Sequence, residues 1–152
     1  MQTRREMMTR SAQVAALMAG AGLLPQAAYA NWSKEAFDAK TLADAVKGLG
    51  GGAPALSKDV TITGPDIAEN GAVVPVGAAT TLPGVKKLLL LVEKNPSVLA
   101  AVFNVTDAVE ANFNTRVKMG QSSNVYAVAM MADGKVLFAQ QEIKVTLGGC
   151  GG

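Results

Sequence analysis

The sequence predicts an all-β fold: an immunoglobulin-like antiparallel β-sandwich of about seven strands, with an N-terminal helix and a flexible C-terminal arm. Three observations predict it. Seven short apolar or β-branched runs recur at regular spacing between Val60 and Leu147, divided by turn residues. In one of them Phe113, Thr115, Val117 and Met119 alternate with Asn114, Arg116 and Lys118, the period-two pattern of a half-buried strand. Two further runs flank Asp133-Gly134, which reads as a two-residue hairpin turn.

The first thirty residues stand apart from that fold. Arg4-Arg5 is a paired-arginine start, and Arg10 extends the positive region. Val14–Leu24 is an uncharged stretch of eleven residues, too short to anchor a chain across a bilayer, and Ala28-Tyr29-Ala30 has the small-x-small form of a signal-peptidase site. Residues 1–30 are therefore expected to be a twin-arginine export signal. Cleavage after Ala30 leaves 122 residues: a helix-plus-sandwich domain at 31–147 and an arm at 148–152.

Within the domain, Ser33–Leu49 reads as one amphipathic helix. Ser33 is its N-cap, Glu35 suits the positive end of the dipole, and Phe37, Leu42, Val46 and Leu49 form the apolar stripe. Gly50-Gly51-Gly52 stops it. The expected strands are Val60–Ile62, Ala72–Ala79 after the Asn70-Gly71 turn, Lys87–Glu93, Val98–Val105 after Asn95-Pro96-Ser97, Phe113–Met119, Val125–Met131 and Lys135–Leu147. The unbroken apolar run of Lys87–Glu93 suits a strand covered on both faces. Pro75 has no N–H for a ladder, which fits an edge or bulge, or an edge that meets a partner chain.

Composition removes several function classes. The net charge of +2 belongs to the first thirty residues, because removing Arg4, Arg5, Arg10 and Glu6 leaves 11 basic and 11 acidic side chains. A near-neutral chain without a basic stretch points away from nucleic acid, and no polybasic patch or membrane anchor is evident. The absence of histidine weakens enzyme and transition-metal readings. No clustered Asp/Glu loop suggests a hard-cation site, and no catalytic constellation, phosphate loop or CxxC appears, so no catalytic residue, metal or cofactor is expected.

What chemistry there is belongs to Cys150, the one cysteine, which excludes an intramolecular disulfide. Gly148, Gly149, Gly151 and Gly152 surround it, so that the segment is pliable and narrow. Three extended residues beyond Leu147 reach about 10 Å, enough to deliver a thiol into a pocket of another protein. With no cation adjacent in sequence (Lys144 is the nearest lysine), the thiol is a poor catalyst but a usable attachment point.

The paired-arginine signal, "IAENGAVVPV" at 67–76, "VEKNP" at 92–96, "TRVKMG" at 115–120 and the ending "VTLGGCGG" together resemble SoxY, the sulfur carriers of the periplasmic thiosulfate-oxidising Sox system. The resemblance covers essentially the whole of the chain after residue 30, with no departure at the tail. It implies that Cys150 holds pathway intermediates covalently. A haem-containing SoxAX-like protein would join thiosulfate to its sulfur, a SoxB-like manganese hydrolase would release sulfate, and a SoxCD-like sulfur dehydrogenase would oxidise the remaining persulfide. It also implies a heterodimer with SoxZ, a second small β-sandwich protein.

Two other readings remain beside it. The final Gly151-Gly152 is also the ending of ubiquitin-like sulfur carriers, which use a terminal thiocarboxylate; an export signal and seven strands argue against that reading. A structural sandwich joined to a partner by a Cys150 disulfide is the other.

Overall fold

The computed structural model describes residues 3–20 and 33–146. The chain divides into two compact units, Met1–Trp32 and Ser33–Gly152. In the first, α1 (Arg4–Gly20) opens with a capping box: the Thr3 hydroxyl accepts from the Glu6 amide while the Thr3 amide donates to the Glu6 carboxylate. No described helix is long and apolar enough to cross a membrane. The expected cleavage site at Ala28-Tyr29-Ala30 lies outside the described residues.

The second unit is an all-β sandwich behind two short helices, as the sequence predicts. The helix expected over 33–49 is two: α2 (Lys34–Asp38) and α3 (Leu42–Gly48). Ser33 caps α2 by accepting from the Ala36 amide, and the Thr41 hydroxyl caps α3 by accepting from Asp44. Between them Ala39 is extended, at φ −58° and ψ 143°. Tertiary bonds hold this break: Ser97 Oγ donates to the Phe37 carbonyl and Lys40 Nζ to that of Pro96. After α3, Gly50 takes the left-handed conformation at φ +82° and its amide bonds to Lys47, the C-terminal stop the glycines imply.

Nine strands follow among the described residues: β1 (Pro54–Leu56), β2 (Val60–Thr63), β3 (Ile67–Ala68), β4 (Val74–Thr80), β5 (Val85–Val92), β6 (Leu99–Asn104), β7 (Asn112–Val117), β8 (Ser123–Met131) and β9 (Val136–Val145). The larger sheet runs β1-β9-β8-β5-β6, with β3 also paired to β9; the smaller runs β2-β4-β7. Seven of these are the expected strands. The added pieces, β1 and β3, both pair with β9 in parallel.

The central strand β5 explains the layering. Leu88 to Val92 are fully buried. Leu88, Leu90 and Val92 enter the core between the two sheets, whereas Leu89 and Leu91 pack under α2 and α3 with Ala36, Val46 and Val128. An alternating strand exposes one face to water; this one has a sheet on one side and helices on the other, hence its unbroken leucines. Each buried leucine contributes roughly 1.5–3 kcal/mol relative to exposure. The buried Thr80 and Ser123 hydroxyls are satisfied, Thr80 donating to the Asp59 carbonyl and Ser123 accepting from the Lys94 amide.

Two turns sharpen the sequence reading. At Asp133-Gly134, Gly134 has φ +86° while among the described residues no non-glycine has positive φ. The Gly134 amide bonds to the Met131 carbonyl and the Met131 amide to that of Lys135. That is a three-residue connection with one left-handed glycine, not the two-residue turn expected, which needs two left-handed residues. Pro75 lies opposite Arg116 of β7, but β2 runs only alongside Gly77 to Thr80. The proline sits where β4 has no neighbour on its β2 side, an edge position as the sequence allowed.

Candidate functional site

Cys150 and its glycines Gly148, Gly149, Gly151 and Gly152 lie outside the described residues. What the structure describes is the point from which they depart. β9 pairs with β8 as far as Ile143, opposite Ser123. Beyond that pair the chain is held by other means. β3 takes one side: the Lys144 amide donates to the Asp66 carbonyl at 3.0 Å and the Thr146 amide to that of Ala68 at 3.1 Å. The Thr146 hydroxyl donates weakly to the Ala68 and Glu69 carbonyls, at 3.5 and 3.4 Å. On the other side the Val145 amide donates to Ser122 Oγ at 2.9 Å, a side chain standing where β8 no longer offers backbone.

A third segment closes the clasp. The Met119 amide donates to the Gly71 carbonyl at 2.7 Å, and a Cβ on Gly71 would come within 2.3 Å of the Met119 carbonyl oxygen and 2.8 Å of Val145 Cγ1. Glycine is required here by close approach, not by a left-handed backbone. Asn70 shapes the same turn by accepting the Ala72 amide on its side chain. Segments 66–71, 119–122 and 144–146 thus fix Thr146, and four extended residues from there to Cys150 span at most about 14 Å. The sequence flagged the Asn70-Gly71 turn but not Ser122 or β3; a two-residue strand has no periodicity to read.

The groups whose acidity is shifted lie outside this clasp. The hydrogen bond and charge of Asp38 raise Lys34. Burial, then Glu93, raises Tyr126. The Lys135 amide and ammonium hold Asp133 below the usual carboxylate range. Among the described residues no three histidine, cysteine or carboxylate side chains converge to hold a metal. At the other end of the sandwich, where β4 ends and β5 begins, a cavity of about 700 Å³ is lined by side chains of both signs, among them Lys58, Lys86, Asp59 and Glu110.

A family model described as sulfur oxidation protein SoxY matches residues 46–150. Among solved structures, the sulfur carrier protein SoxY from Chlorobium limicola f thiosulfatophilum is 34% identical with a TM-score of 0.56, over 62% of this chain and 84% of that one. A variant of the superoxide reductase (neelaredoxin) from Ignicoccus hospitalis aligns at a TM-score of 0.51 and 18% identity, over 57% of this chain and 79% of its own, a likeness of fold alone. No curated protein matches the chain.

Proposed function

The chain belongs to the SoxY family of sulfur oxidation proteins, and from that premise we propose that it carries sulfur intermediates covalently on the Cys150 thiol while separate enzymes act on them. One observation carries the assignment to this residue: the family match runs from 46 to 150, so its last matched position is the cysteine itself. The clasp at Thr146 supports it. A carrier needs a mobile cargo and a fixed origin, and the hydrogen bonds of Lys144, Val145 and Thr146 supply the origin.

Loading joins the Cys150 sulfur to the outer sulfur of thiosulfate, and the two electrons released pass to a SoxAX-like haem enzyme. Hydrolysis by a SoxB-like enzyme takes oxygen from water, releases sulfate and two protons, and leaves a Cys150 persulfide. A SoxCD-like dehydrogenase oxidises that outer sulfur to a sulfonate with oxygen from water, taking up the electrons as the protons are released, and a second hydrolysis frees it as sulfate and restores the thiol. This chain contributes no acid or base to these steps; it presents the sulfur and withdraws it. The site of action is the periplasm, reached by a twin-arginine signal that moves folded cargo. A SoxZ-like partner without a signal of its own crosses with it.

Intact-mass measurement on protein isolated without reductant from thiosulfate-grown cells tests the reading. Thiosulfonate and persulfide adducts are expected on peptides containing Cys150, and none on the Cys150→Ser protein. Adducts that survive Cys150→Ser but vanish on deletion of Gly152 overturn it in favour of a terminal thiocarboxylate. Export of the partner beside a signal-deleted chain overturns the joint crossing.

A further inference from the structure

One turn of the clasp holds the parts of a reaction of its own. Asn70-Gly71 is the only asparagine–glycine pair in the sequence, and asparagine is among the thermolabile side chains. Asn70 is exposed, and its side-chain oxygen accepts the Ala72 amide at 2.9 Å, which folds the carboxamide back over the Gly71 peptide. The Val73 amide closes the same turn on the Asn70 carbonyl at 3.3 Å. The Gly71 amide itself makes no hydrogen bond among the described residues; its carbonyl alone is engaged, by Met119. A carboxamide carbon polarised by a donated hydrogen bond thus stands next to an unengaged backbone nitrogen, on a residue with no side chain to shield it.

We propose that Asn70 is a site of spontaneous hydrolytic modification, through a cyclic imide with Gly71, and that one of its two products loosens the foot of the arm. The Gly71 nitrogen gives up its proton to a base in solvent and bonds to Asn70 Cγ. The Cγ–Nδ2 bond breaks, and that nitrogen takes up a proton and leaves as ammonia. Water then opens the ring. Opening at the side-chain carbonyl gives an ordinary aspartate at position 70; opening at the main-chain carbonyl routes the backbone through the side chain, one carbon longer. The sum is asparagine and water giving a carboxylate and ammonia, with no oxidant or reductant.

Other positions lack one part each. At Asp133-Gly134 the glycine amide is committed to the Met131 carbonyl at 3.1 Å, and the side chain is a carboxylate held by Lys135. Exposed Asn104 and Asn114 precede Val105 and Thr115, whose branched side chains crowd the attacking nitrogen. The clasp, in turn, has no slack for the longer product. The Gly71 carbonyl accepts Met119 at 2.7 Å, and even a Cβ on Gly71 would lie 2.3 Å from the Met119 carbonyl oxygen. Just upstream, the Ala68 and Glu69 carbonyls hold Thr146. An added backbone carbon at position 70 falls between these two anchor points, so both cannot keep their register. The ordinary aspartate keeps the turn, because a carboxylate also accepts the Ala72 amide. The inference is independent of the carrier reading.

Incubation of the full chain in mildly acidic and mildly alkaline buffer, followed by peptide mapping with electron-transfer fragmentation, tests it. A gain of about one dalton is expected at Asn70, faster in alkaline buffer, as both the aspartyl and the isoaspartyl form. Asn104 and Asn114 should be unchanged in the same sample. The Met119 amide of the isoaspartyl form is expected to exchange about fivefold faster, whereas Asn70→Asp leaves its exchange unchanged and Asn70→Gln prevents the mass gain. A peptide of residues 67–76 gives the rate without the fold. Asn70 still intact in the protein after that peptide has converted overturns the proposal. So does conversion that leaves Met119 exchange as it was.

Discussion

Set side by side, the two edges of the larger sheet show how one architecture closes one side and leaves the other open. The β9 edge is sealed by two strand fragments, a hydroxyl and an amide side chain, and its last residues are held on both sides. The β6 edge is a plain apolar strand with one neighbour. β8 and β5 lie between them, so β6 itself is three strand spacings, about 14 Å, from the strand that bears the arm. Contact on one side need not obstruct delivery on the other.

The largest expected effect lies at the tip of the sealed edge. Cys150→Ser should abolish sulfur turnover while leaving the melting temperature unchanged; retained turnover would remove the arm from the comparison. Gly149→Val belongs to the same test. A β-branched side chain stiffens and widens the arm, so turnover in a reconstituted system should fall while the fold is unaltered.

Next comes the clasp. Gly71→Val drives a side chain into the Met119 carbonyl and Val145, and should cost about 3 kcal/mol or more in urea denaturation. A smaller loss is expected from Ser122→Ala, about 1 kcal/mol, with faster exchange of the Val145 amide; Ser122→Thr should restore both. On the open edge, Asn104→Lys should change monomer stability by less than about 0.5 kcal/mol. A large change there would mean that β6 is not the permissive side.

The smallest effect concerns the β8–β9 turn. The folded chain holds Asp133 below the ordinary carboxylate range by hydrogen bonds from Lys135. Its folded pKa is therefore below its unfolded value, so its contribution is complete above the usual carboxylate pKa and is lost as pH falls through the folded one. Asp133→Asn should flatten that part of the acid unfolding profile, read by circular dichroism, and leave the profile above it unchanged.

Particular residues explain how much of this was legible in advance. The leucines of β5 announced a strand buried on both faces, because no other arrangement hides five consecutive apolar side chains in a sheet. Phe113 to Met119 announced β7 by alternation, and Ser33 announced its cap. Helix continuity from 33 to 49 was misread because Ala39-Lys40-Thr41 contains no glycine or proline. The break depends on Ser97 and on Pro96, more than fifty residues away. β1 and β3 are too short for any period, and their parallel pairing is set by β9. Cys150 and its glycines were conspicuous in the sequence, whereas the clasp beneath them arises from three segments that meet only on folding.

The ladder that ends at Thr146 has a mechanical consequence. On the proposed function, tension directed along β9 as an enzyme withdraws from the tail would load the bonds to β8, β1 and β3 together, in shear. Force shared over many bonds is resisted far better than force that opens them singly. The end of β9 is thus placed to take such a load without opening first.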